Sequence, residues 1–342
     1  MNYKQKITLI LFLLIFIWSF FISWIYWITS LVFSLAFYSI ILYFIIYSFK
    51  KLKIKNLQIF NYLNYKIFLK NFLYRVSILI TLLIIIIWWF AYYQNEISPA
   101  KMPIYYLSNW EKNLVFYSMS HIGTKSFYEW VRNKIIEKKE KDYVLFFEWV
   151  RPWSIENHEK FNKAIWVEFD EKLYENFSKL YWLVHQDNNM FLWLVNNLDF
   201  NIDVSLDDII QYYEEKKELE NKTSREYSSP INISDQILSQ VSLLRENELR
   251  LLRYINKAFI SIIIKSENLQ NTIKNNFWNK ELFSVILDKR DKVIAEEIIK
   301  SEYQNIIATY WLLHFMWIFE LLKKNDIRWQ IKKIEYTYPL KN

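Results

Sequence analysis

At 342 residues, with 43 lysines and arginines against 36 acids and a formal charge of +7, the chain is long enough for a membrane anchor plus one soluble domain of about 240 residues. It has no cysteine, which excludes disulfides, thiolate zinc sites and a cysteine nucleophile. No nucleic-acid motif accompanies the positive charge, so no nucleic-acid partner is expected.

Essentially no charge lies between Ile7 and Phe49. A span needs about 20 apolar residues, so this stretch predicts two transmembrane helices, about 7–27 and 29–48, joined near Thr29 and Ser30. It is too long for a signal peptide and lacks the polar cleavage region of one, so it is expected to stay in the mature protein. Lys50, Lys51, Lys53, Lys55, Lys66, Lys70 and Arg75 follow with no acid among them. Such a run reads as a cytoplasmic loop, or as a surface touching anionic lipid. Residues 56–74 mix lysine with aromatic and aliphatic residues in the manner of an interfacial helix, and Val76 to Tyr93 makes a third span, about 76–93. With Lys4, Lys6 and the basic loop in the cytoplasm, three crossings put the remainder of the chain outside an integral cytoplasmic-membrane anchor, 1–94.

Residues 95–112, containing Pro99 and Pro103, read as a linker to a domain over 113–342. Strand-like and helix-like patterns then alternate. Leu114 to Ser120 is an expected strand, Ser126 to Lys138 a helix, and Tyr143 to Phe147 a short buried strand. Asp170 to Leu180 is amphipathic, and Ser205 caps a helix starting at Leu206, with Asp207 and Asp208 in its first turn. A helical insertion is expected over about 206–288, including one long helix from about Ser234 to Ile264 whose apolar stripe Glu248 interrupts. Ile306 to Tyr310 is an expected strand, His314 to Lys323 a helix and Ile331 to Tyr338 a last strand. The alternation predicts an α/β domain with a mixed or mainly parallel sheet flanked by helices.

The one glycine, Gly123, stands against 16 tryptophans, where ordinary usage predicts roughly 24 glycines. Tryptophan occurs at turns and strand ends, as in Glu148-Trp149 and Pro152-Trp153, where a residue without a Cβ is favoured. An AT-rich gene explains abundant Ile, Lys, Asn, Tyr and Phe but not surplus tryptophan. A gene that uses UGA for glycine, translated with UGA as tryptophan, explains both.

Chemistry is expected where strands end. His121 follows the first strand of the domain, Glu148 the second, and His314 the next-to-last. In open α/β sheets ligands bind outside the carboxyl ends of strands. Imidazole and carboxylate together suit a divalent ion such as zinc, manganese, cobalt or iron. His121, Glu148 and His314 are therefore the candidate metal ligands, and Glu148 alternatively a general base. Each also has a structural reading, the histidines as hydrogen-bonded structural groups and the glutamate as a solvated strand end. No phosphate-binding glycine loop, nucleophile elbow or HExxH helix is present.

Ser118 to His121, Glu148-Trp149-Val150-Arg151, Asn201 to Asp208, Arg290-Asp291 and Trp311-Leu312-Leu313-His314 with Trp317 are similar in order and spacing to the motifs of the TraB, PrgY, GumN and TIKI family. The resemblance covers residues 113–338. Ser118 replaces a motif glycine and Asp291 an asparagine, and Trp149, Trp311 and Trp317 stand at glycine positions. The resemblance implies an erythromycin-esterase/ChaN-like fold, with the Arg-Asn-like pair opening a helix. It also implies a membrane-anchored metal-dependent peptidase or hydrolase acting on peptides or secreted proteins. Arg151 or Arg290 would then hold a substrate carboxylate or stabilise developing charge. The alternative is a noncatalytic membrane receptor or sequestering protein for a peptide signal. Oligomeric state is open.

Overall fold

The computed structural model describes residues 37–41, 43–45, 65–148, 151, 153–165, 167–168, 172–181, 183–186, 194–219, 230, 232–266, 268–270, 272 and 279–341. The first expected span lies outside these residues, as does the second except for helical residues 37–41 and 43–45 and most of the basic loop. The chain divides into two units, residues 1–92 with 244–251, and residues 93–243 with 252–342.

In the first unit, helix α1 covers Tyr65–Tyr92. Helical structure continues as one π turn, Tyr93–Ile97, and Leu69–Ile97 is the one helix among the described residues long and apolar enough to cross a membrane. Its 29 residues span about 43 Å at 1.5 Å per residue, beyond the roughly 30 Å of a bilayer's hydrocarbon. Leu79, Leu83, Ile86 and Trp89 are each more than half exposed. Two hydroxyls bond the helix's own backbone: Ser77 Oγ donates to the Tyr74 carbonyl at 2.9 Å and Thr81 Oγ1 to the Ser77 carbonyl at 2.7 Å.

The second unit contains β1 Met102–Ser108, β2 Asn113–Met119, β3 Ile122–Gly123, α2 Lys125–Lys139, β4 Val144–Phe147, α3 Ile155–Ile165 and α4 Lys172–Tyr181. It continues with β5 Val184–His185, β6 Phe200–Asn201, α5 Leu206–Leu219, α6 Ile233–Ser242, most of α7 Glu246–Lys265, α8 Lys280–Lys300, β7 Asn305–Trp311, α9 Phe315–Asn325 and β8 Gln330–Thr337. Six strands form one sheet in the order β6-β4-β7-β2-β1-β8. The first four run parallel, β1 is added antiparallel to β2, and β8 is antiparallel to β1. This is the expected mixed α/β sheet. β7 lies between β2 and β4, which are therefore not neighbours as simple strand-helix-strand succession would have them.

The period of two along each strand divides the core. Leu114, Phe116, Val144, Phe146, Ile306, Ala308 and Tyr310 pack on one face against Ile294 and Ile298 of α8 and Phe315, Ile318 and Leu322 of α9. Val115, Tyr117, Met119, Leu145 and Ile307 pack on the other against Phe127, Tyr128, Val131 and Ile135 of α2. Both faces of the parallel half are covered, so its strands read as continuous apolar runs.

Three expectations change. Residues 95–112 are not all linker, because β1 lies within them. Buried Met102, Ile104 and Leu107 give it a core, and Pro103 sits near its start, where a missing N–H is tolerated. The long helix expected over 234–264 is two helices. Glu248, which interrupts the stripe, is an N-terminal capping residue: its carboxylate accepts the Arg245 N–H at 2.9 Å and so begins α7. Arg290 and Asp291 lie in the middle of α8, not at a helix opening, and α8 runs past the expected insertion end at 288. The Ser205 cap is as expected, with Asp208 N–H donating to Ser205 Oγ and Ser205 N–H returning to the Asp208 carboxylate.

Gly123 has a local reason. A Cβ there would lie 3.1 Å from Phe127 Cδ1 and 3.3 Å from the Pro339 carbonyl oxygen, at the start of α2. The next residue, Thr124, caps that helix and donates its own N–H to the Pro339 carbonyl at 2.8 Å.

Candidate functional site

Parallel pairing brings the carboxyl ends of β2, β7, β4 and β6 to one edge of the sheet. The residues just past those ends are His121, Trp311 with His314, Glu148 and Asp203. α8 crosses this edge with Arg290 and Asp291, so residues more than 140 positions apart meet there.

Arg290 is the hub. Its Nε donates to Asp203 Oδ1 at 2.7 Å and its Nη2 to Asp203 Oδ2 at 2.8 Å, a two-point contact that fixes the guanidinium plane. Nη2 also donates to Glu148 Oε1, while the Trp311 backbone N–H donates to Glu148 Oε2 at 3.1 Å. The side chains of Arg290 and Glu148 are 12% and 11% exposed and that of Asp203 only 1%. The Arg290 guanidinium carbon also lies 5.7 Å from the centre of the Tyr310 ring.

His314 lies beside this triad. The one-turn 3-10 helix Leu312–His314 carries it from β7 into a site where none of the residue is exposed. Its Nδ1 is 2.6 Å from Asp291 Oδ1, the Tyr310 ring meets it edge-on at 5.3 Å, and its buried Nε2 has no hydrogen-bond partner among the described residues. A carboxylate on one ring nitrogen fixes tautomer and orientation and leaves the other nitrogen as an acceptor or ligand. The indole of Trp311 lies 6.2 Å from the His314 ring and 5.5 Å from the His121 ring.

The charges are mutually adjusted. Burial opposes ionisation of Glu148, but Arg290, His121, His314 and the Trp311 amide outweigh it and hold the carboxyl below its ordinary value. Burial raises Asp203 above its ordinary value despite Arg290, and nearby Glu148 adds to the rise. Burial also lowers His121, and the cationic forms of Arg290 and His314 act in the same direction against the pull of Glu148. Arg290 itself is held cationic by its two carboxylates.

Of the expected site residues, Glu148, Arg290, His314 and His121 converge. Arg151 is exposed at the rim, bonding the Asn201 carbonyl at 2.9 Å through Nη2. His185 belongs to the short β3–β5 pair, where it faces Ile122, and His158 stacks near Trp153 at 5.5 Å. Asp203 and Asp291 were not singled out as site residues. Asp203 is an acid between two apolar residues, Ile202 and Val204, just after a strand, and that is its signal in the sequence. Asp291 has none beyond its place beside Arg290.

The donor set fits a divalent ion in part. His314 has the environment of a metal-ligating imidazole, and His121 lies on the same edge. Glu148 is committed to Arg290 and the Trp311 amide, and the adjoining guanidinium repels a cation. Among the described residues no group of three or more His, Asp or Glu side chains is spaced to hold a metal ion. Comparison with family models, curated proteins and solved structures finds no match.

Proposed function

We propose that the sheet-edge cluster is the active site of a membrane-anchored hydrolase acting on peptides or secreted proteins. The observation that carries this reading is His314: fully buried, oriented by Asp291, and with no partner for Nε2 among the described residues, near an ionised glutamate. A histidine serving only structure is expected to use both ring nitrogens when buried this deeply. Resemblance to the TraB, PrgY, GumN and TIKI family supports the same reaction class.

In this reading His314 Nε2 accepts the proton of the attacking water and returns it to the leaving group, and Asp291 holds the ring while its charge changes. His121, whose pKa burial lowers, lies on the same sheet edge with its ring 5.5 Å from that of Trp311. Ionised Glu148 stabilises positive charge on the imidazoles. Arg290 is a positioning residue that holds Glu148 and Asp203, and the exposed Arg151 is the better placed to meet a substrate carboxylate. His121 and His314 are the residues that would hold a divalent ion, which would supply acidified water in place of the His314 acid–base role.

The domain faces outward in this reading, with 50–75 cytoplasmic. An impermeant thiol reagent on intact cells tests that orientation with single cysteines at Lys53 and Lys217, and labelling of the first alone refutes it. Full-length protein in detergent, incubated with a peptide mixture read by mass spectrometry, tests the chemistry. His314→Ala is expected to abolish cleavage at least 100-fold, as removal of an acid–base group does. Elemental analysis decides metal dependence, because metal lost in His121→Ala and His314→Ala assigns it to the two imidazoles. Peptide retention without cleavage, unaffected by His314→Ala, favours the sequestering protein instead.

A further inference from the structure

We infer that the native protein carries glycine at positions 110 and 311, where its sequence prints tryptophan, and that the cleft between His121 and His314 is therefore open. Position 110 provides the conformational argument. The β1–β2 hairpin pairs Ser108 with Asn113, and Asn109 N–H donates to the Lys112 carbonyl at 3.2 Å, leaving Trp110 and Glu111 as a two-residue connection. Trp110 has φ of 79°, and hairpins of this length place glycine at a first central residue with positive φ. Among the described residues the only other non-glycine residue with positive φ is Asp142, a type that tolerates the left-handed region. A bulky indole does not. With φ positive at the first central residue alone, the turn asks for the Gly-X pair, and here that pair reads Trp-Glu; the ring is 74% exposed with no core to bury it.

Burial gives an independent argument. Tryptophan carries a large apolar area and is among the most buried side chains on average. Of the six described tryptophans in the second unit, Trp329 is buried, Trp130 and Trp153 are half-buried against the core, Trp311 is half-buried at the site, and Trp110 and Trp317 are exposed. Trp329 packs in the core as a true tryptophan would, so the inference is limited to positions where backbone or site geometry asks for glycine.

Position 311 carries the functional consequence. What the fold uses there is the backbone: the residue pairs with Met119 across the β2–β7 ladder and its N–H donates to Glu148. The indole occupies the space beside both imidazoles. Glycine keeps the ladder and the amide donor and clears that space, which a substrate carbonyl and a water must otherwise contest. Translation of UGA as glycine in the source cell accounts for all of this together with the count of one glycine and 16 tryptophans.

The test is tandem mass spectrometry of the protein purified from its own cells. Glycine is expected in the peptides spanning Asn109 to Lys112 and Tyr310 to His314, and tryptophan in either peptide overturns the inference at that position. Neither result depends on whether the cluster is catalytic. A second measurement uses full-length protein made with the printed sequence. Trp110→Gly should raise the melting temperature by about 2–4 °C, because relief of left-handed strain is worth roughly 1 kcal/mol. An unchanged or lower melting temperature counts against glycine at 110.

Discussion

Two arginines of this protein each hold two carboxylates, in opposite settings. Arg290 joins Glu148 and Asp203 with no side chain of the three more than 12% exposed. Arg328 joins Asp326 and Glu111 near the start of β8, where arginine and glutamate are 49% and 65% exposed. The bonds are alike in length: Arg328 reaches Glu111 at 2.7 Å and Asp326 at 3.0 Å. What differs is the solvent each cluster gave up. A surface cluster that loses its arginine still has water to solvate its carboxylates. The buried cluster has none, so each member depends on the others, and the fold keeps a costly arrangement that stability alone does not require.

The largest effect that would break this contrast is Arg290→Ala. It strands two buried carboxylates and should destabilise the full-length protein by about 3–5 kcal/mol, read from the denaturation midpoint. A loss no greater than that of Arg328→Ala would end the comparison. Next comes Asp203→Asn. Because burial already raises the Asp203 pKa, removing its charge should cost less than removing the arginine, while Glu148 keeps its guanidinium. A cost equal to that of Arg290→Ala would mean that Asp203, not Glu148, is the main partner.

A third effect is read in pH. The folded pKa of His121 lies below its unfolded value of about 6.5. Between the two, the unfolded chain binds the extra proton, so stability rises with pH through this window and is lost as pH falls below about 6.5. His121→Gln should flatten that part of the stability–pH curve in thermal melts; an unchanged slope would place His121 outside the coupled cluster. The smallest effect is Arg328→Ala, which should leave the melting temperature within experimental scatter at 0.15 M salt.

The sheet-edge residues were legible because buried parallel strands appear as short apolar runs, and His121, Glu148 and His314 each end or follow one. Neighbour order was not legible. Nothing local in Asn305–Trp311 says that it separates β2 from β4, since pairing depends on which faces the helices cover. α8 was legible only in part: the resemblance has a helix opening at Arg290-Asp291, whereas the charged run Asp288-Lys289-Arg290-Asp291 lies inside a helix that begins at Lys280. The helix turns two members of that run into the sheet edge and leaves the others outside. Glu248 misled in the opposite sense. Its charge marked a weak point in one long helix where it caps a second.

The position of β7 at the centre of the parallel strands also sets an order of events. Its first residue, Asn305, pairs with Asn113, 192 positions earlier, so the sheet stays open until β7 has been synthesised. Closing a loop of that length precedes any central pairing, and sheets dominated by distant pairs fold slowly. During that interval the edges of β2 and β4 lack their shared partner, and unpaired edges of apolar strands promote association with other chains. Truncation before Asn305 should therefore yield an aggregating product and not a smaller folded domain, making synthesis of β7 the step that commits the sheet to its native state.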